Sequence, residues 1–99
     1  MFWSKIATKL GDPYVSSLVV NPKNPAHVYM GTSEGIFESL DGGVSWLPKQ
    51  EGLENLNIRA LVMDPKDPQI LFCGTNGGGL YKSGDGATSW THIPLTLLN

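Results

Sequence analysis

Among its 99 residues the sequence holds one cysteine, Cys73, and one arginine, Arg59. A lone cysteine excludes a disulfide framework within the chain, and within an apolar run it reads as a small buried residue rather than a nucleophile. The six lysines, Lys5, Lys9, Lys23, Lys49, Lys66 and Lys82, are scattered and the net charge is −2. No basic cluster exists, so no nucleic-acid partner is expected. No apolar run is long enough to cross a membrane as a helix, so no membrane partner is expected either. The opening Met1 to Leu10 lacks a long apolar core, so no secretory signal is read there and no compartment is assigned. His27 and His92 share no ligand spacing with each other or with Cys73, so neither a metal nor a cofactor is expected. Helical spacing of apolar residues is also missing, and twelve glycines with seven prolines would interrupt most helices.

What the sequence does contain is a repeat. The octapeptide pattern S-x-D-G-x-x-S-W occurs at Ser39 to Trp46 and again at Ser83 to Trp90. Upstream, Val15-Ser-Ser-Leu-Val-Val-Asn-Pro-Lys-Asn-Pro matches Ile58-Arg-Ala-Leu-Val-Met-Asp-Pro-Lys-Asp-Pro at an offset of 43. One glycine inserted near Gly77 to Gly79 moves the later pairs to 44, so that Ile36 matches Leu80 and Trp46 matches Trp90. A period in the low forties is that of a solenoid or a propeller. Each repeat carries four strand signals. Short apolar runs mark the first strand (Ser17 to Val20, Ala60 to Met63) and the second (Val28 to Met30, Ile70 to Cys73), and such runs suit strands buried on both faces. The third (Ile36 to Ser39, Leu80 to Ser83) is mixed, and the fourth, from each tryptophan, is largely polar. Asn21 to Pro25 and Asp64 to Pro68 join the first two strands, where Asn or Asp can accept a backbone bond two residues on. A gradient from apolar inner to polar outer strand suits a propeller blade. The expected fold is all-β, with two four-stranded antiparallel blades. Residues 1–99 form a single unit, with repeats at about 15–57 and 58–99 and an extra outer strand plus connection in 1–14.

The octapeptides resemble the Asp-box, or BNR repeat, of sialidases, the sortilin propeller, photosystem assembly factors and xyloglucan-cleaving glycosidases. The resemblance runs from Trp3 to Trp90, with Ala87 standing where the family usually has glycine, which would slightly reshape the second hairpin. It implies that Ser39, Asp41, Gly43, Trp46, Ser83, Asp85 and Trp90 are structural, in hairpins on the face away from any ligand. The residues agree: an aspartate can accept backbone N–H bonds in a glycine-rich turn, and the tryptophan supplies an apolar plug behind it. Relatives of this kind are often exported.

Enzymatic readings can be tested by counting, which leans against catalysis and leaves one class open. A family-type sialidase site needs three arginines, and Arg59 is alone. A carboxylate-pair glycosidase needs only two Asp or Glu within about 5–10 Å, and Asp12, Glu34, Glu51 and Glu54 fall in loops on the ligand side without forming a motif; solvated loop charges are the better reading of each. Arg59 starts a first strand and aligns with Ser16, so it suits an anion- or carbonyl-binding collar at the channel mouth, or a simple pairing with Glu51, Glu54 or a carbonyl. Ser16, Glu34, Glu51, Glu54, Arg59 and Asn76 are the candidate ligand-binding residues. The expected function is a non-catalytic propeller module that binds protein or glycan or acts as a scaffold; the alternative is a relative of sialidase- or xyloglucanase-like hydrolases.

Two blades cannot close a propeller of about 4–8. Four strands about 4.8 Å apart and about 5 residues long present a face of roughly 300 Å². Leaving it bare forgoes on the order of 8 kcal/mol at ~25 cal/mol/Å². The expectation is therefore either a segment of a longer propeller or self-association into a ring of three or four chains, head to tail.

Overall fold

Both repeats fold as four antiparallel strands joined in chain order. The computed structural model describes residues 14–94. The first sheet runs β1 (Val15–Val20), β2 (Val28–Thr32), β3 (Gly35–Ser39) and β4 (Leu47–Pro48). The second repeats it as β5 (Ile58–Asp64), β6 (Asp67–Thr75), β7 (Gly79–Ser83) and β8 (Thr91–Ile93). No helix interrupts them among the described residues. The extra outer strand expected at Trp3 to Leu10 lies outside the described residues.

The turns between first and second strands form as their sequence dictates. Asn21 Oδ1 accepts the Lys23 amide at 2.9 Å and Asp64 Oδ1 accepts the Lys66 amide at 2.8 Å. Asn24 and Asp67 repeat the device for Ala26 and Gln69. These side-chain acceptors satisfy amides that the ladders leave unpaired. The second copy closes more tightly, because Asp64 pairs directly with Asp67 and β6 begins sooner than the apolar run suggests.

Register fixes which side chains meet. Tyr29 pairs with Val19 and Glu38, and Gly31 with Ile36, so these residues share one face of the first sheet. Leu61, Cys73, Tyr81 and His92 share a face of the second. The two faces pack together: Tyr29, Ile36, Leu61, Leu71, Cys73, Tyr81 and Trp90 belong to one buried cluster, with Val19 against it. Burial pushes the Cys73 thiol up to about 12, which fits its reading as an inert core residue.

The opposite faces are largely open, as expected where two blades stand alone, although Met30 and Phe37 are buried on the first with Val15 and Trp46 against them. Leu18 is 63% exposed and Val62 56% exposed, although both lie in unbroken apolar runs. Each sheet has a single neighbour among the described residues, so alternate side chains of the same run end up inside and outside.

Gly52 locks the connection between the sheets. Its φ is +95°, a left-handed value that favours glycine, and an added Cβ would run into the Trp90 carbonyl oxygen. Glu51, just before it, accepts the Trp90 amide at 2.8 Å. Gly52→Ala should therefore cost at least ~3 kcal/mol, from left-handed strain plus a backbone clash. Gly77→Ala, at φ +84° with nothing within 4 Å of the added methyl, should cost only ~1 kcal/mol. Urea unfolding of the two variants checks this, and equal losses would contradict the clash.

Candidate functional site

The antiparallel order sends the connections to two ends. At one end lie the β3–β4 and β7–β8 hairpins built by the octapeptides, beside the β1–β2 and β5–β6 turns. At the other lie the connection from β4 to β5 and the β2–β3 and β6–β7 turns.

In the first hairpin the Asp41 carboxylate is fully engaged. Oδ1 accepts the Ser39 hydroxyl at 2.8 Å and the Val44 and Ser45 amides at 3.1 and 2.9 Å. Oδ2 accepts the Ser45 hydroxyl at 2.6 Å. Buried Ser39 in turn accepts the Gly43 amide at 2.8 Å. The Ser45 hydroxyl and amide, then the Ser39 hydroxyl, hold Asp41 down from 3.8 to about 2. Such a carboxylate is a poor proton donor near neutral pH. Asp85 repeats the arrangement with Ser83 and Ser89, and its acidity shifts the same way for the same reasons. Ala87 accepts φ +69° where Gly43 has +101°, and its methyl is buried in the core. The reshaping expected there is small. The Thr88 amide turns to the Asp85 backbone carbonyl at 3.4 Å instead of the carboxylate.

The tryptophans differ in a telling way. Trp90 is buried and its indole N–H donates to the Lys49 carbonyl across the junction at 2.9 Å. Trp46 is half-buried and its indole donates to its own hairpin at Gly43. The difference is the neighbouring sheet, which covers Trp90 and not Trp46.

Sequence reading missed a polar cluster toward the hairpin end of the junction. His27 Nε2 lies 2.6 Å from Glu38 Oε2, Lys49 Nζ lies 3.6 Å from Glu38 Oε1, and the Asn21 amide group meets His27 Nδ1 at 3.1 Å. Tyr29, on the same face, donates its hydroxyl to the Gly86 carbonyl at 2.8 Å. Burial first, then the Glu38 charge and hydrogen bond, raise the Tyr29 phenol well above its ordinary value. The available signal was the repeat itself: Glu38 aligns with Lys82, a reversal of charge at one strand position.

The other end holds the candidate ligand residues. Glu34 is exposed in the β2–β3 turn, Asn76 in the β6–β7 turn, and Glu51 and Glu54 in the connection. Asn55 donates its side-chain amide to the Asn76 carbonyl at 2.9 Å, and the Asn76 amide donates to the Asn57 carbonyl. Tyr14 enters β1 beside Ser33, exchanging bonds through its amide and carbonyl, with 71% of its surface exposed. Sequence reading passed over Tyr14 because Asn57 stands at its repeat position. Asp12 lies outside the described residues. Ser16 and Arg59 occupy matching irregularities, where β1 shifts register between Val15 and Ser17 and β5 between Ile58 and Ala60. Bulges of this kind re-aim a side chain. Ser16 donates its hydroxyl to the Ile58 carbonyl at 2.6 Å, which stitches β1 to β5. Arg59 is exposed, and its expected pairing with Glu51 or Glu54 is absent among the described residues, where Glu38 makes the ion pairs. No group of three or more His, Cys, Asp or Glu converges among the described residues.

No protein-family model matches the sequence. A xyloglucanase of Hypocrea jecorina is 30% identical over 82 residues, which cover 80% of this chain and 10% of that protein. Among solved structures, an ancestral GH74 enzyme aligns with a TM-score of 0.74 and 30% identity, over 82% of this chain and 10% of its own. A GH74 enzyme of Niastella koreensis gives 0.65 and 28%, over 83% and 14%. A GH74 xyloglucanase of Xanthomonas campestris gives 0.63 at 18% identity, over 80% and 15%, a likeness of fold. The chain thus spans about a tenth of the length of the curated relative. It is a β-propeller repeat unit, homologous over this segment to propellers of GH74 xyloglucanases.

Because the folded pKa of Asp41 lies below its ordinary value, its contribution to stability is complete above about pH 4 and is lost as pH falls toward about 2. The melting temperature should fall through that window. Asp41→Asn should melt lower at pH 7 and lose less on acidification; parallel curves for the two proteins would contradict the linkage. Ser39→Ala, which orphans the Gly43 amide, should cost ~1–3 kcal/mol at pH 7, measured by urea unfolding.

Proposed function

We propose that this chain is a pair of non-catalytic propeller blades that bind a β-glucan chain of the xyloglucan type, with Asp-box hairpins as structural ends. The carrying observation is the division between the two ends. Asp41 and Asp85, the carboxylates whose acidity is displaced, are locked into hairpins by hydroxyls and amides. The opposite end presents exposed Tyr14 beside Ser33 and Glu34, with Asn55 and Asn76 held by backbone bonds. An aromatic ring flanked by amides and hydroxyls suits a neutral polysaccharide, which offers apolar sugar faces and a rim of hydroxyls. The likeness to xyloglucanases supports the choice of glycan over protein as ligand.

Hydrolysis is the second reading, favoured by the same likeness. It requires one of Glu34, Glu51 or Glu54 to face a second carboxylate within about 5–10 Å across a bound sugar.

Isothermal titration with xyloglucan oligosaccharides, combined with a reducing-sugar assay on xyloglucan, separates the readings. The expected result is binding without release of reducing ends. Tyr14→Ala should weaken binding by about tenfold, equivalent to roughly 1.4 kcal/mol. Release of reducing ends would establish the hydrolase instead, and absence of heat with every β-glucan would remove the glycan reading.

A further inference from the structure

We propose that the two open sheet faces bind each other between copies of this chain, head to tail, and close a ring of blades. The junction inside the chain supplies the template. There the first sheet contributes Val19, Tyr29 and Ile36, and the second contributes Leu61, Cys73 and Trp90. Shifted by one repeat, the first set becomes Val62, Phe72 and Leu80, and the second becomes Leu18, Met30 and Trp46. Val62, Phe72 and Leu80 are the exposed apolar residues of the outward face of the second sheet. On the outward face of the first, Leu18 is exposed and Trp46 half-buried, while Met30 is already buried beside Phe37, Val15 and Trp46. The open faces are therefore the two halves of a junction that already exists once, now on opposite sides of the unit. Two different faces of this kind pair heterologously, and copies added in one rotational sense close when the rotation divides a full turn.

Polar contacts favour a second copy of this chain as the occupant. At the covered junction Ser16 donates to the Ile58 carbonyl; its counterpart Arg59 is exposed and would donate to the Val15 carbonyl of the next copy. Lys23 donates its ammonium group to the Lys66 carbonyl at 3.3 Å, and Lys66 can repeat this toward Lys23 of the next copy. Charge matters most at the hairpin end. Within the chain, Glu38 and Asp85 both bear on Tyr29 as like charges. Between copies, Lys82 takes the place of Glu38 and Asp41 that of Asp85, so opposite charges meet. Lys82 already lies 5.8 Å from the Phe72 ring centroid, on the face to be covered. Phe72 in place of Tyr29 forgoes only the hydroxyl bond.

The fit of six blades gives three chains, and that of eight gives four. Sedimentation equilibrium at roughly 10 μM, well above the dissociation constant of a tight interface, should return three or four times the 10.7 kDa chain mass. Two variants then test polarity. Phe72→Asp spoils only the second-sheet face and Leu18→Asp only the first-sheet face. Each alone should be monomeric with a native β circular-dichroism spectrum, and an equimolar mixture should form one-to-one pairs and nothing larger. A monomeric parent protein would overturn the proposal, whatever else covers the faces. So would a dimer of either variant alone, because same-face pairing is not head to tail. Should the aspartates unfold the sheets, Phe72→Ser and Leu18→Ser carry the same mixing test at the same exposed positions.

Discussion

A four-stranded sheet with apolar side chains on both faces has no stable existence by itself, and this constraint organises the molecule. The junction between the sheets is its solution. Tyr29 and Ile36 enter a face made by Leu61, Cys73, Tyr81 and Trp90, and all are buried. Three directional bonds fix the fit along its length: Ser16 to Ile58 at the inner strands, Tyr29 to Gly86 at the hairpin, and the Trp90 indole to Lys49. Apolar area supplies the attraction and these bonds supply register, since a one-step slip would orphan each donor. Everything else depends on this contact. The connection at Gly52, the seating of the second hairpin and the placing of β5 beside β1 all follow from it.

Division of labour between the ends follows from the same geometry. Each hairpin is closed on itself, with a carboxylate absorbing hydroxyls and amides that a tight turn leaves unpaired. The other end is built from longer connections, with side chains such as Tyr14, Asn76 and Arg59 free of the ladder. Blades of this kind occur in the xyloglucan-degrading propellers to which the segment is similar. Fold alone does not carry activity, which resides in side chains placed on the fold.

The architecture was legible because each repeat states it independently. Matching octapeptides, paired Asx-Pro turns and four strand signals agree at one offset, and the observed strand order follows them. Which residues of the apolar runs are covered was not legible. Val62 and Leu61 are adjacent and equally apolar in sequence, yet one is exposed and the other buried, because burial depends on how many neighbours a sheet has. Glu38 was invisible for a related reason. A single charge in a strand carries no signal until His27 and Tyr29 from one segment and Lys49 from another converge on it. Tyr14 lay outside the repeat logic, having asparagine as its counterpart.

Native-state hydrogen exchange tests most directly whether the junction holds both sheets. The amides of β2, β3, β6 and β7 should exchange through one shared opening. Tyr29→Ala, which removes a buried side chain worth ~3–5 kcal/mol, should lower protection in both sheets together. Loss confined to β1–β4, with β5–β8 unchanged, would contradict the account and make the sheets independent units.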